Sequence, residues 1–244
     1  MAASAATDVR RALFERLIDH AALFPPASMA VADALREDER LRSSADGWIV
    51  GRFVVPASRV AELGAADLRL TVVFDGPLPA DSRIDAVEAP PGADLESLVG
   101  LAPEVYAEVP PEPLELARLA DLGVRAKFRC GGATVPSVGA LARAIQCCRE
   151  LGLVFKATAG LHHALPTGDE HGFLNLLAAA VFGDEEAALV ARDLGVTADG
   201  FAWGDRVAAA VDVARARRDL LVGFGSCSVA EPVAELHALG ILAA

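Results

Sequence analysis

The chain has almost no lysine. Of its 22 basic residues only Lys127 and Lys156 carry an amine, and the others are all arginine. An ammonium that is desolvated or crowded by another cation can lose its proton and act as nucleophile or base, which a guanidinium cannot. Both lysines lie within short runs that read as β-strands, where lysine is seldom placed. Positive charge is scarce overall. The net charge of −12 argues against a nucleic-acid or anionic-membrane surface, because phosphate recognition draws on clustered cations. No apolar run approaches the roughly 20 residues of a membrane span, and the opening Met-Ala-Ala-Ser-Ala-Ala-Thr-Asp lacks the basic start of a secretory leader. A cytoplasmic protein is expected. Cysteine is limited to Cys130, Cys147, Cys148 and Cys227 without a CxxC pair, so neither a disulfide framework nor a zinc knuckle is indicated.

What the chain does have is rhythm. Apolar or β-branched runs occur at 48–55, 68–74, 84–89, 104–109, 124–130, 153–159, 200–203 and 220–227, mostly with helical patterns between them. Leu63-Gly64, Leu122-Gly123 and Leu151-Gly152 close the intervening segments in the manner of a C-terminal cap. Strand and helix in alternation predict a (β/α)8 TIM barrel, class α/β, over residues 48–244 as one domain. Residues 1–47, with Thr7 or Asp8 as a helix cap, are expected to form an N-terminal helical segment packed on the barrel. An open doubly wound sheet fits less well, since no G-x-G-x-x-G follows the first strand.

Barrel enzymes work at the C-terminal ends of their strands, and side chains alternate across a strand. With the apolar set facing the helices, Lys127 and Arg129 turn inward from one strand, and Lys156 and Thr158 from the next. The same parity sends Arg52, Glu88, Tyr106 and Glu108 inward. So many charges do not make a packing core, and some must be paired. Crowding by Lys127 is expected to lower the Lys156 pKa and free its amine to attack a carbonyl, with Glu88, Glu108 or Tyr106 moving the proton. Arg52 and Arg129 are candidate binders of an anionic substrate. After the Lys156 strand come His162 and His163, candidates for substrate contact, and then Asn175, one turn into the next helix. Gly225, Ser226 and Ser228, in the turn after the last strand, are placed to cradle a phosphate or carboxylate or simply to cap a helix.

Phe155-Lys156-Ala157-Thr158-Ala159-Gly160 resembles the Lys-Thr-Ser-Thr-Gly strand of the deoxyribose-phosphate aldolases, with Lys156 matching their Schiff-base lysine. Ile18-Asp19-His20-Ala21-Ala22-Leu23 is similar to the Ile-Asp-His-Thr-Leu-Leu near their start, and Gly225-Ser226-Cys227-Ser228 to their phosphate-binding turn. The resemblance implies a barrel and a class I aldolase. Two points differ. In that family the second lysine lies on the strand after the Schiff base, whereas here the strand counted next, Phe201-Ala202-Trp203, has none. The Ile-Asp-His piece also begins the family's barrel, and counting it here gives nine strands.

The expected activity is therefore a Schiff-base lyase or aldolase acting through Lys156 on a small carbonyl, oxo-acid or phosphorylated compound, without cofactor or bound metal. A metal-assisted hydrolase or isomerase using His162, His163 and His171 is the alternative, although their spacing matches no standard zinc motif. A barrel that only binds, with an interior of inert ion pairs, is the third reading. The expected partner is a small molecule, not nucleic acid or a membrane, and a homo-oligomer stays open.

Overall fold

A computed structural model describes residues 8–132 and 135–243. Its barrel strands are β1 (Ile18–His20), β2 (Val50–Pro56), β3 (Leu70–Val73), β4 (Ile84–Ala89), β5 (Glu104–Glu108), β6 (Arg125–Arg129) and β7 (Phe155–Thr158). Three short strands follow, β8 (Leu194–Val196), β9 (Phe201–Trp203) and β10 (Arg206–Ala208), before the last barrel strand, β11 (Leu221–Ser226). All eight barrel strands pair in parallel, and the ring closes through β1, which lies between β11 and β2. The fold is the (β/α)8 barrel that the alternation predicts.

The membership of the ring differs from expectation at one point. Ile18–His20 is a barrel strand, so the described part of the 1–47 segment, residues 8–47, is not a helical appendage. The helix α1 (Val9–Phe14) precedes this strand, and α2 (Val31–Arg42) is the return helix of the first β/α unit. Of the two candidate caps for α1, Thr7 lies outside the described residues, and Asp8 accepts the Arg10 N–H at 2.9 Å. Residues 201–203 do form a strand, but it sits in a separate antiparallel sheet ordered β10-β9-β8. Gly204, at φ +58°, and Asp205 make the two-residue turn that folds β10 back on β9. Arg206 then stacks on Trp203 with its guanidinium carbon 3.8 Å from the ring.

The remaining helices are α3 (Pro113–Leu122), α4 (Val138–Leu151), α5 (Phe173–Phe182), α6 (Glu185–Val190), α7 (Ala210–Asp219) and α8 (Ala230–Ala238). β2 and β3 are joined through a 3-10 segment at Ala57–Leu63, and β3 to β4 and β4 to β5 have no α-helix. Leu122 and Leu151 end their helices against left-handed Gly123 and Gly152, the caps read from the Leu-Gly pairs. Ala126, Phe128, Phe155 and Ala157 face outward into the apolar layer beneath the helices, with Phe128 and Phe155 rings 5.2 Å apart. This outward set fixes which side chains fill the barrel. No helix among the described residues is long and apolar enough to cross a membrane.

Candidate active site

The register of β6 on β7 sets Lys127 directly beside Lys156, about 4.8 Å apart along the hydrogen-bonding direction. Both amines point into the barrel and meet carboxylates. Lys156 Nζ lies 2.6 Å from Asp19 Oδ2 on β1 and 2.7 Å from Glu88 Oε1 on β4. Lys127 Nζ lies 2.8 Å from the other oxygen of Glu88 and 3.0 Å from Glu108 Oε2 on β5. Arg129 completes the row, with its Nε 3.0 Å from Glu108 Oε1. Cation and anion thus alternate across the barrel from Arg129 to Asp19.

This alternation reverses one expectation. Burial alone would lower the Lys156 pKa, but Asp19 and Glu88, with the Tyr106 ring system beside them, raise it well above the usual value. The amine is not made neutral by its cationic neighbour, because Glu88 stands between the two. Glu88 shows the same balance from the other side. Burial would raise its pKa, yet Lys127 and Lys156 hold it down at about 2. Burial likewise works against the charged form of Glu108, which Lys127 and Arg129 keep below the ordinary carboxylate range.

Depth separates the two lysines. A cleft of about 690 Å³ opens at the C-terminal ends of the strands, and Lys127, Glu88, Glu108 and Arg129 line it. Lys156 does not line this cleft, and its side chain is 2% exposed against 8% for Lys127. Thr158, His162, Gly225 and Ser226 also reach the cleft, while Phe24, Pro25, Val54 and Pro90 give it an apolar wall. The combination of apolar wall and few convergent polar groups is that of a small-molecule site.

Other candidate residues lie elsewhere. Arg52 is near the start of β2 and therefore at the opposite end of the barrel, where it pairs with Glu104 at 2.8 Å. Asn175 is fully buried and donates to the carbonyls of Ala188 and Ala191, which ties α5 to α6. His163 Nδ1 sits 2.5 Å from Glu235 on α8, outside the cleft lining. His162 lies 2.7 Å from Glu231, and His171 meets the Pro136 carbonyl at 2.8 Å. Among the described residues no three His, Cys, Asp or Glu side chains are arranged to hold a metal ion.

The turn after β11 caps a helix. Ser228 Oγ accepts the Glu231 N–H at 3.4 Å, and Ser226 Oγ donates to the Ser228 carbonyl at 2.6 Å. The Ser226 hydroxyl is thus engaged within the turn, and Glu231 sets a carboxylate in the first turn of α8. Burial pushes the Cys130 thiol up to about 12, far from a thiolate at neutral pH.

Asp19 is the site residue that sequence reasoning left without a role. Its signal was present in Ile-Asp-His, an acid inside a strand. Parity from the barrel strands would have turned it inward had the segment been taken as one.

No protein-family model matches this chain, and no curated protein matches it. The barrel and the geometry of its interior therefore carry the functional argument.

Proposed function

We propose that the protein is a lyase of the Schiff-base aldolase type, acting on a small carbonyl compound that carries a carboxylate or phosphate. The observation that carries this reading is an amine, Lys127, lining the open cleft with a second lysine directly beside it on the following strand. The nucleophile is thus reassigned from Lys156, the deeper of the two. With β1 counted as the first barrel strand, Lys127 falls on the sixth and Lys156 on the seventh. The strand order is the one the aldolase resemblance implies, a Schiff-base lysine followed one strand later by its companion, whereas the Phe155–Gly160 motif by itself matches the Schiff-base position at Lys156. The ninth strand disappears because Phe201–Trp203 lies outside the ring.

In the reaction, Lys127 passes a proton to Glu108, and its nitrogen attacks the substrate carbonyl carbon. The carbinolamine loses water to give the iminium. When the neighbouring C–C bond breaks, the hydroxyl proton of the departing fragment is removed as it leaves as an aldehyde, and the bonding pair moves toward the iminium nitrogen. Protonation of the resulting enamine carbon gives a second iminium, whose hydrolysis by water releases the product and frees the Lys127 amine. Glu88 stays charged throughout, since the Lys156 ammonium holds it even while Lys127 is neutral. Lys156 remains a fixed cation below, paired with Asp19 and Glu88. Arg129, half exposed at the rim, is placed to take the anionic group of the substrate.

Borohydride reduction in the presence of pyruvate or acetaldehyde, followed by peptide mass mapping, tests the assignment. A reduced adduct on Lys127 that is lost in Lys127→Arg is expected. An adduct on Lys156 would return the nucleophile to the deeper amine, and a folded protein that gives no adduct with any small aldehyde or oxo-acid would remove the Schiff-base reading. A second reading, a binding barrel whose interior is an inert ion-pair plug, is favoured by the full pairing of both ammonium groups. It predicts no adduct at all.

A further inference from the structure

The barrel holds a second cavity, of about 270 Å³, at the N-terminal end of its strands. Lys156 and Asp19 line it, whereas Lys127 and Glu88 line the cleft on the other side. The Lys127–Glu88–Lys156–Asp19 chain thus lies between the two openings.

The lining is rich in guanidinium. Arg52 and Arg69 share one carboxylate, Asp85, with Nε to Oδ2 distances of 3.7 and 2.5 Å. Arg16 is exposed at the mouth and held at φ +50°, a backbone conformation that a residue other than glycine rarely adopts. Strain of that kind persists only where the surroundings enforce it, and it concentrates at ligand clamps. Glu15, beside it, is one carboxylate a bound anion must avoid; Asp19 and Glu104 also line the cavity, held by Lys156 and Arg52. In a chain of net charge −12, five arginines and Lys156 line this one small opening against three carboxylates, Glu15, Asp19 and Glu104, so its walls carry an excess of positive charge.

We propose that this opening is a second binding site, for a small multivalent oxyanion held by Arg16, Arg52 and Arg69. The planar fork of a guanidinium matches paired oxygens of phosphate or carboxylate, and the volume falls just below that of drug-sized ligand clefts, roughly 300–1,000 Å³. A free phosphate ion and the phosphate group of a small metabolite share this chemistry. The inference stands on the cavity and its arginines and does not depend on Schiff-base chemistry in the cleft.

Calorimetric titration with orthophosphate, at ionic strength held constant with chloride, tests it on the full chain. Saturable binding that persists in Arg129→Gln, where the cleft's own anion contact is removed, is expected, and in that background it is weakened at least tenfold when Arg16→Gln and Arg69→Gln are added. Because Arg16 is exposed, Arg16→Gln alone keeps the test available if the double variant folds poorly, and a several-fold loss is expected from it. Glycerol phosphate is the second ligand: affinity equal to orthophosphate identifies a phosphomonoester site, and binding of orthophosphate alone identifies a site closed around the free ion. No saturable heat beyond the chloride control, or binding lost in Arg129→Gln and kept in the arginine double variant, overturns the proposal.

Discussion

At the level of single residues, Glu88 decides how the interior behaves. It gives one oxygen to each lysine, so removing its charge would leave two buried cations facing each other. A glutamate ordinarily titrates near 4.5, and here the folded protein holds it at about 2. A carboxylate whose pKa is depressed on folding stabilises the fold fully above its unfolded value, and that contribution is lost as pH falls toward the folded value. Urea melts of wild type and Glu88→Gln between pH 2 and 7 should therefore converge as the solution is acidified through that window, with the variant clearly weaker at pH 7. Parallel curves over the whole range would mean that Glu88 contributes nothing through its charge. The inward direction of Glu88, Lys127, Lys156 and Glu108 was legible from alternation. Depth was not, because alternation tells which face a residue takes and says nothing of its distance from the strand end. That is why Arg52, third in its strand, was expected at the cleft and lies at the other mouth.

At the level of elements, the sequence showed the strands more clearly than their partners. Phe201–Trp203 is as apolar as any barrel strand and is a strand, but Gly204-Asp205 commits it to a hairpin before it can reach the ring. Ile18–His20 has three residues, two of them polar, and a pattern that short gives no periodicity to read. The loops that follow β6 and β7 show a constraint that Gly131-Gly132 and Ala159-Gly160 encode. A Cβ on Gly131 would lie 2.4 Å from the Gly160 Cα, and Gly160 itself has φ +66°. Both offending groups are backbone, so neither can swing away. Gly131→Ala is expected to separate the two loops above the lysines and to destabilise the protein by roughly 1–3 kcal/mol. Gly76→Ala, where a Cβ meets nothing within 4 Å, is the control. Equal melting temperatures for the two variants would show that the loops are not in enforced contact.

On the scale of the whole molecule, the barrel carries its apolar packing on the outside of the ring and an ionic layer across its middle. Such a layer is a poor source of stability, since desolvation of each ion offsets much of the attraction, and buried ion networks can be replaced by apolar residues at no net loss or with a gain of about 1–4 kcal/mol. Breaking one pair while leaving its partner buried costs about 3–5 kcal/mol instead. The two facts separate a functional layer from a structural one. Lys156→Met strands Asp19 and leaves Glu88 with Lys127 alone, and should lower the melting temperature sharply. The fourfold variant Asp19→Val, Glu88→Leu, Lys127→Met, Lys156→Met removes the chain as a unit and leaves Glu108 with Arg129, so it should melt at or above wild type while giving no borohydride adduct. That outcome would mean the fold does not require these charges, and a sequence with only two lysines has kept both of them inside the barrel for chemistry. If the fourfold variant instead proves as weak as Lys156→Met, the ion pairs are themselves what the interior is built to hold, and the inert-plug reading gains the ground the lyase loses.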